Sequence, residues 1–234
     1  MVFAYDFHIH TAASPCADEG MSPNNIVNMA LLKELDAVAI TDHNTCANIK
    51  AVMDVAKNTS LVVIPGMEIE TSEEFHMIVL LPSLEKAMEM QEIVYGHLPL
   101  INNRKDIFGE QLIYNNEDVI IGEIDRLLLT ATTLSVYQVI RIVNKLGGVC
   151  YPAHVDRASY SIVSNLGFIP LDLDIKNIEV SRHANLANFQ ASYPLLRIVQ
   201  SSDAHYLEDI LERKNYMKVG RNTADFWIEL LKVL

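Results

Sequence analysis

What most constrains the fold of this chain is a rhythm. Short apolar runs of strand length alternate with longer segments of helical period. Seven runs stand out: FAYDFHI, DAVAI, LVVIPGMEI, FHMIVLL, GVCYPAH, NIEVSR and RIVQSSDAH. Between them, Ser22 and Pro23 start a helix as N-cap and first helical residue. That helix carries Ile26, Val27, Ala30 and Leu31 on one face. ANIKAVMDVAKN, residues 83–95 and SVYQVIRIVNKLGG are further helices, the last ending in glycines. Strands alternating with helices predict a mainly parallel α/β fold. Seven strands suit a barrel or a distorted barrel. An open doubly wound sheet is the alternative, weakened because no Gly-rich fingerprint follows the first strand. The rhythm breaks at about 96–132, an irregular insertion in which INNRKDIFGEQLI and EIDRLLL are expected as helical pieces. Arg104 and Lys105 there offer a lid over an anionic substrate, with a plain structural insertion the preferred reading. The 234 residues are expected to form a single domain, 1–234.

The chemistry lies at the strand ends. His8 and His10 close the first run, His43 follows the second, and Glu68 closes the third. His154 and His205 close two later runs, and Asp203 stands two residues before His205. His76 sits at the start of its run and fits the rule less neatly. The C-terminal ends of parallel strands converge on one mouth of a barrel, where such folds build active sites. Period two puts Asp6, His8 and His10 on one strand face and Tyr5, Phe7 and Ile9 on the other. Burying several ionisable side chains without partners is costly. A divalent metal partners neutral imidazole and carboxylate together. The pairs His8/His10 and Asp203/His205, at opposite ends of the chain, carry far more weight than one His-x-His. So many ligands exceed one tetrahedral site, and two or three metals are expected.

Composition bounds the partners. Eighteen basic and thirty acidic residues leave a net charge of −12, which argues against a nucleic-acid surface built on bulk positive charge. Binding phosphate through metals is compatible with that charge. Three scattered cysteines do not form a disulfide framework and suit a reducing compartment. No signal-like segment or membrane-length apolar run is present, so a cytoplasmic location is expected.

The pieces DFHIHT, AITDHNT, IPGMEIE with FHMIVL, CYPAHVDR and VQSSDAH resemble, in order, the motifs of the PHP (polymerase and histidinol phosphatase) family of metal-dependent phosphoesterases. The resemblance implies a distorted (β/α)7 TIM-like barrel with a trinuclear site at its C-terminal mouth. By position, His8, His10 and Asp203 would hold one metal. Glu68 would bridge it to a second held also by His76 and His154. His43 and His205 would hold a third, with one more ligand from the loop after His10. Zinc, manganese and iron all suit such ligands. In that loop the chain departs from the family's Ser-Asp-Gly: SPCADEG follows instead. Asp18 is the preferred ligand, with Cys16 and Glu19 as alternatives.

The implied activity is hydrolysis of a small phosphomonoester or nucleotide by a metal-bridging hydroxide, with Glu68 and Asp203 as catalytic carboxylates. A short nucleotide is an admissible substrate; long nucleic acid and membrane are not expected as partners. Arg157, Arg182 and His183 lie just past strand ends and are candidates to touch the substrate. An amidohydrolase-like C–N hydrolase and a non-catalytic metal-binding module are the competing readings. His97 is expected at the surface.

Overall fold

A computed structural model describes residues 1–233. In chain order the elements are β1 (Val2–Ile9), α1 (Pro23–Leu32), β2 (Ala37–Ile40), α2 (Ile49–Ala56), β3 (Val62–Glu70), β4 (His76–Leu80), α3 (Leu84–His97), α4 (Lys105–Phe108), β5 (Leu112–Tyr114), β6 (Ile120–Glu123), α5 (Val136–Lys145), β7 (Val149–Pro152), α6 (Ile162–Leu166), β8 (Asn177–Ser181), α7 (Leu186–Ser192), β9 (Arg197–Ser201), β10 (Tyr216–Lys218) and α8 (Ala224–Lys232).

Seven of these strands form the staves of a distorted α/β barrel in the order β1-β2-β3-β4-β7-β8-β9. β1, β2 and β3 pair in parallel, as do β8 and β9. Of the two joints outside the regular ladders, one is held by a single backbone hydrogen bond and the other by a pair. Val155 N–H donates to Glu179 O at 2.9 Å and links the end of β7 to β8. His10 N–H donates to Ala204 O at 3.0 Å, and Ala204 N–H to His8 O at 3.1 Å, which closes β9 onto β1. β10 adds an antiparallel edge to β1 at the opposite end.

β4 runs antiparallel to both neighbours, β3 and β7. Its first residue therefore lies at the mouth where its neighbours end. This resolves the anomaly of His76, which stands at the start of its strand and pairs in register with Glu70.

The simple period-two reading of β1 is corrected. Tyr5 pairs with Ala37 and Asp6 with Val38, but Ile9 pairs with Ile40, so β1 carries one extra residue there. Such a bulge changes which face the following side chains occupy. Below it, Tyr5 and Phe7 join the interior cluster of Ile64, Ile78, Tyr151 and Trp227. Above it, His8 and His10 join the polar group at the mouth, while Ile9 packs with Ile26 and Ile40 against the outer helices. Asp6 serves neither set. Its carboxylate accepts Ser202 N–H and Leu211 N–H, both at 3.0 Å, and braces the chain after β9. The barrel interior thus has two floors: an aromatic plug closed by Trp227 of α8, and above it the imidazoles and carboxylates.

The helices form where expected, with one difference in capping. Ser22 stands at the N-cap of α1, but its hydroxyl donates to Asp118 Oδ2 at 2.7 Å instead of capping locally. Asp118 also accepts Asn24 N–H at 3.0 Å, so a carboxylate from the insertion occupies the helix start. The insertion holds less helix than expected. Residues 105–108 make one turn, while 112–114 and 120–123 form a hairpin. EIDRLLL is not helical because its backbone is held from the side by Gln111, which accepts Leu128 N–H at 3.0 Å and donates to Arg126 O at 2.8 Å. Arg104 pairs with Asp106 at 2.9 Å and Lys105 with Glu110 at 3.0 Å, so neither is an open cation over the mouth. His97 is half-buried, and its ring Nδ1–H donates to Ile93 O of its own helix at 2.9 Å.

Candidate metal centre

Glu68, on β3, is the hub of the mouth. It is 1% exposed. Oε1 lies 2.8 Å from His76 Nδ1 and 3.2 Å from His154 Nε2. Oε2 lies 3.3 Å from His8 Nε2, 3.2 Å from His10 Nε2 and 3.1 Å from His43 Nδ1. Asp203 Oδ1 is 3.1 Å from both His8 Nε2 and His10 Nε2. Three overlapping groups of donor atoms result: His8, His10, Glu68 and Asp203; His43, Glu68 and His76; and His10, His43 and His205.

The outer partners decide which way the imidazoles point. His8 Nδ1–H donates to Glu179 Oε1 at 2.8 Å, leaving the Nε2 lone pair facing Glu68 and Asp203. Ser14 Oγ donates to Asp42 Oδ1 at 2.7 Å, so its oxygen accepts His10 Nδ1–H at 2.9 Å, and Nε2 of His10 also faces inward. His205 Nδ1–H donates to Asp203 O at 2.9 Å. Bonds of this kind orient imidazoles for a metal and raise their basicity. His154 and Asp203 have φ of 30° and 55°. That left-handed backbone is unfavourable for non-glycine residues and is held here by the surrounding bonds.

The charges are arranged as a cation would need them. Burial alone would raise the carboxyls of Glu68 and Asp203, but the imidazoles around them outweigh it and hold both well below the usual carboxylate range. Burial pushes His43 well below the usual imidazole value, and burial with the charge of His10 takes His205 down to about 4. Burial works against protonation of His8 and His10 too, yet the facing carboxylates win, and His10 is raised to about 9.

The donor set fits divalent metals on one further observation. Glu68 Oε2, among the described residues, has no aligned hydrogen-bond partner, although three imidazole nitrogens stand within 3.3 Å of it. Buried nitrogen and oxygen atoms that crowd together without an aligned hydrogen bond are arranged like ligands. Two atoms each about 2.1 Å from one metal lie about 3.0–3.4 Å apart, the spacing found here.

Not every expected residue comes to the mouth. Asp18 is exposed, and its Oδ1 accepts Gly20 N–H at 2.8 Å in a local turn instead of meeting the cluster. Cys16 stands in the place expected of Asp18, with Sγ 3.1 Å from His205 Nε2. Arg182 and His183 lie beside Asp209, which takes Arg182 Nη2–H at 2.7 Å, and line a different hollow. The turn after β8 carries them away from the cluster. Arg157 does reach it: its Nη1 contacts Asp203 Oδ2. Two carboxylates are additions. Glu179 is the lone acid of NIEVS, flanked by Ile178 and Val180, and Glu70 follows Glu68 at period two. Both positions carried a readable signal, an acid on the inward face of a buried strand. The cluster floors a cavity of about 270 Å³, with Arg157, Ser159 and Tyr160 at its rim.

A barrel that gathers imidazoles and ionised carboxylates at its mouth is the architecture of a metal-dependent hydrolase. The chain belongs to the PHP domain family, whose model matches residues 6–149. It is 40% identical over 76 residues to the 5′-3′ exoribonuclease Rnm of Salmonella typhimurium, an alignment covering 32% of this chain and 25% of that protein. The chain thus matches only about a quarter of that relative's length. Among solved structures it is similar to endonuclease Q in complex with a 27-mer duplex carrying an abasic lesion, with a TM-score of 0.72, 19% identity, and coverage of 99% of this chain and 57% of that one. It is also similar to an amidohydrolase from Chromobacterium violaceum, with a TM-score of 0.61, 16% identity, and coverage of 97% and 95%. These relatives overturn the expectation that long nucleic acid is excluded. A 5′-3′ exoribonuclease shares part of this sequence and a duplex-bound endonuclease shares this fold, so a net charge of −12 does not by itself rule out such substrates. Cations bound at the mouth act on phosphate locally, whatever the bulk charge. Among the described residues no helix is long and apolar enough to cross a membrane.

Proposed function

We propose that this chain is a phosphoesterase acting on a nucleotide or a nucleic-acid terminus, and that residues 1–234 form one PHP-type unit. The observation that carries the reading is one buried cluster of six imidazoles with Glu68 and Asp203, of which His43, His76, His154, His205 and both carboxylates line a single cavity together with Arg157. His154, Asp203 and His205 lie beyond the family-matched stretch and complete that cluster. His8, His10 and Asp203 would hold one metal, and Glu68, His76 and His154 a second. His43 and His205 would contribute to a third. Zinc, manganese and iron(II) all suit this set. Bound metals supply Lewis acidity toward a phosphoryl oxygen and lower the pKa of water toward neutrality.

The protein's own groups do the remaining work. Glu179 and Ser14 fix the tautomers of His8 and His10, so their lone pairs are in place before substrate arrives. The Arg157 side chain is 43% exposed and lies beside Asp203, placed to take a phosphoryl oxygen through its guanidinium. Asp203, held ionised, anchors the Arg157 guanidinium at Oδ2 beside the cavity, and Glu68 keeps the two halves of the cluster at a fixed separation. Tyr160 stacks on His76 with ring centroids 5.0 Å apart and is 54% exposed, which leaves an aromatic face for a nucleobase. Its φ of 53° is a strained choice for tyrosine, which favours a role at the rim over a casual position. A cavity of this size takes a phosphate with its adjoining nucleoside, and the chain beyond runs out over the rim.

The test is a substrate panel on protein loaded with each metal in turn. It includes p-nitrophenyl phosphate, mononucleotides, 5′-phosphorylated RNA and DNA oligomers, duplex DNA with an abasic site, and amides. Release of phosphate or mononucleotides by the wild type, lost in His10→Ala, supports the proposal. Hydrolysis of amides with no action on any phosphoester overturns it.

A further inference from the structure

The structure assigns the outer metal position a sulfur ligand: we infer that Cys16 binds the metal held by His43 and His205. This rests on the metal-dependent reading above but concerns one atom of the site. Three observations converge on Sγ.

The first is the loop itself. Ser14 N–H donates to Thr11 O at 3.0 Å, and Ala17 N–H to Ser14 O at 2.9 Å, winding residues 11–17 tightly over the mouth. Asp18 N–H then donates to His205 O at 2.9 Å, fastening the loop to the residue whose ring it faces. From outside, Gly109 of the insertion presses on Pro15. A Cβ at Gly109 would stand 2.2 Å from Pro15 O, and its φ is 98°, so only glycine allows this approach. The thiol is thus positioned by backbone on both sides.

The second is the tautomer of His205. Nδ1–H is committed to Asp203 O, so Nε2 carries the lone pair, and Nε2 is the atom 3.1 Å from Cys16 Sγ. Without metal the thiol proton can sit between them. With metal, the lone pair and a thiolate both face one cation, and the displaced proton leaves to solvent.

The third observation lies inside the cluster and points independently to a cation. His10, His43 and His205 each bring a ring nitrogen within 4.8 Å of the other two, and the buried Glu68 Oε2, which has no aligned hydrogen-bond partner among the described residues, stands 3.1 Å from His43 Nδ1 of that group. Asp18, the carboxylate alternative, is occupied by Gly20 and points away. A mixed imidazole and thiolate set selects softer metals, zinc over manganese or magnesium, at this position.

Of the three cysteines, all among the described residues, Cys16 alone is exposed. Alkylation therefore reports on it directly in the unmutated protein. Iodoacetamide should label Cys16 in metal-stripped protein, and zinc should slow that labelling about tenfold or more. Cobalt(II) loading of the full chain should give a near-ultraviolet thiolate-to-cobalt band. Cys16→Ser should abolish the band and remove one metal equivalent, while Asp18→Asn keeps both. Equal labelling rates with and without zinc would overturn the assignment, as would a band that survives Cys16→Ser. A chain that binds no metal at all would sink the hydrolase reading. Full metal content in Cys16→Ser would sink only this one.

Discussion

Glu179 offers the sharpest test of how the cluster is held. It is buried at the centre of β8, and Oε1 accepts His8 Nδ1–H at 2.8 Å and His154 N–H at 3.2 Å. Glu179→Ala orphans both donors in a dry interior, at about 1–3 kcal/mol each. It also frees His8 to present the wrong tautomer. Losing an outer partner of this kind lowers metal affinity by about 10–100-fold, or about 1.4–2.7 kcal/mol. Glu179→Gln separates the contributions. Its carbonyl can keep both hydrogen bonds, while the charge disappears and an amide replaces Oε2, which has no partner among the described residues. The expected order of affinity is wild type, then Gln, then Ala. Competition against a chromophoric chelator reads the affinities, and thermal melting of the metal-free proteins separates affinity from folding. If Glu179→Ala melts below the wild type yet binds metal equally well, the orienting role is wrong. If it matches the wild type in both, the hydrogen bonds described here do not govern the cluster.

Other perturbations probe the remaining floors of the barrel. His10→Ala or Asp203→Ala should lose bound metal and hydrolysis together, as read by metal analysis beside the substrate panel; metal retained in both would refute the shared site. Burial opposes protonation of His10, but Asp203 and Glu68 outweigh it and raise the imidazole from 6.5 to about 9. Because proton and metal compete for Nε2, apparent metal affinity should rise as pH climbs from 7 toward 9, in chelator competitions at several pH values. The sign for the metal-free protein is opposite: stability from this raised value is complete below pH 6.5 and fades as pH rises through 9, as urea titrations would show. Trp227→Ala should cost about 3–5 kcal/mol in urea unfolding. It removes the ring set edge-on to Phe7 at 5.0 Å and the Nε1–H bond to Asn222 Oδ1 at 2.8 Å.

Much of this architecture was legible in the chain, and the exceptions share a cause. The strand-end histidines are readable because parallel staves bring their C-terminal ends to one place. His76 looked irregular only because nothing in FHMIVLL reports that its strand runs the other way. The bulge in β1 is equally silent: FAYDFHI alternates too well, and only pairing with β2 shows Phe7 and His8 both serving the interior. Asp18 was a reasonable choice by chemistry. Which side chain of SPCADEG faces the ring of His205 depends on backbone bonds to Ser14 and His205, which spacing does not encode. Arg182 and His183 failed for a related reason. A residue just past a strand end is near the mouth only if its turn folds inward, and theirs leads to Asp209.

The joint between β9 and β1 has a mechanical consequence. That joint is only a pair of backbone bonds around Ala204, outside the regular ladders. His10 and Asp203 face each other across it while standing 193 positions apart in the chain. A cation shared by His8, His10 and Asp203 would rivet the first stave to the last. Opening the barrel there would mean expelling the ion and releasing one of the longest loops the chain can form. Proteolytic nicking near 202–210 should therefore be the earliest sign of metal loss, a gauge of occupancy that needs no substrate.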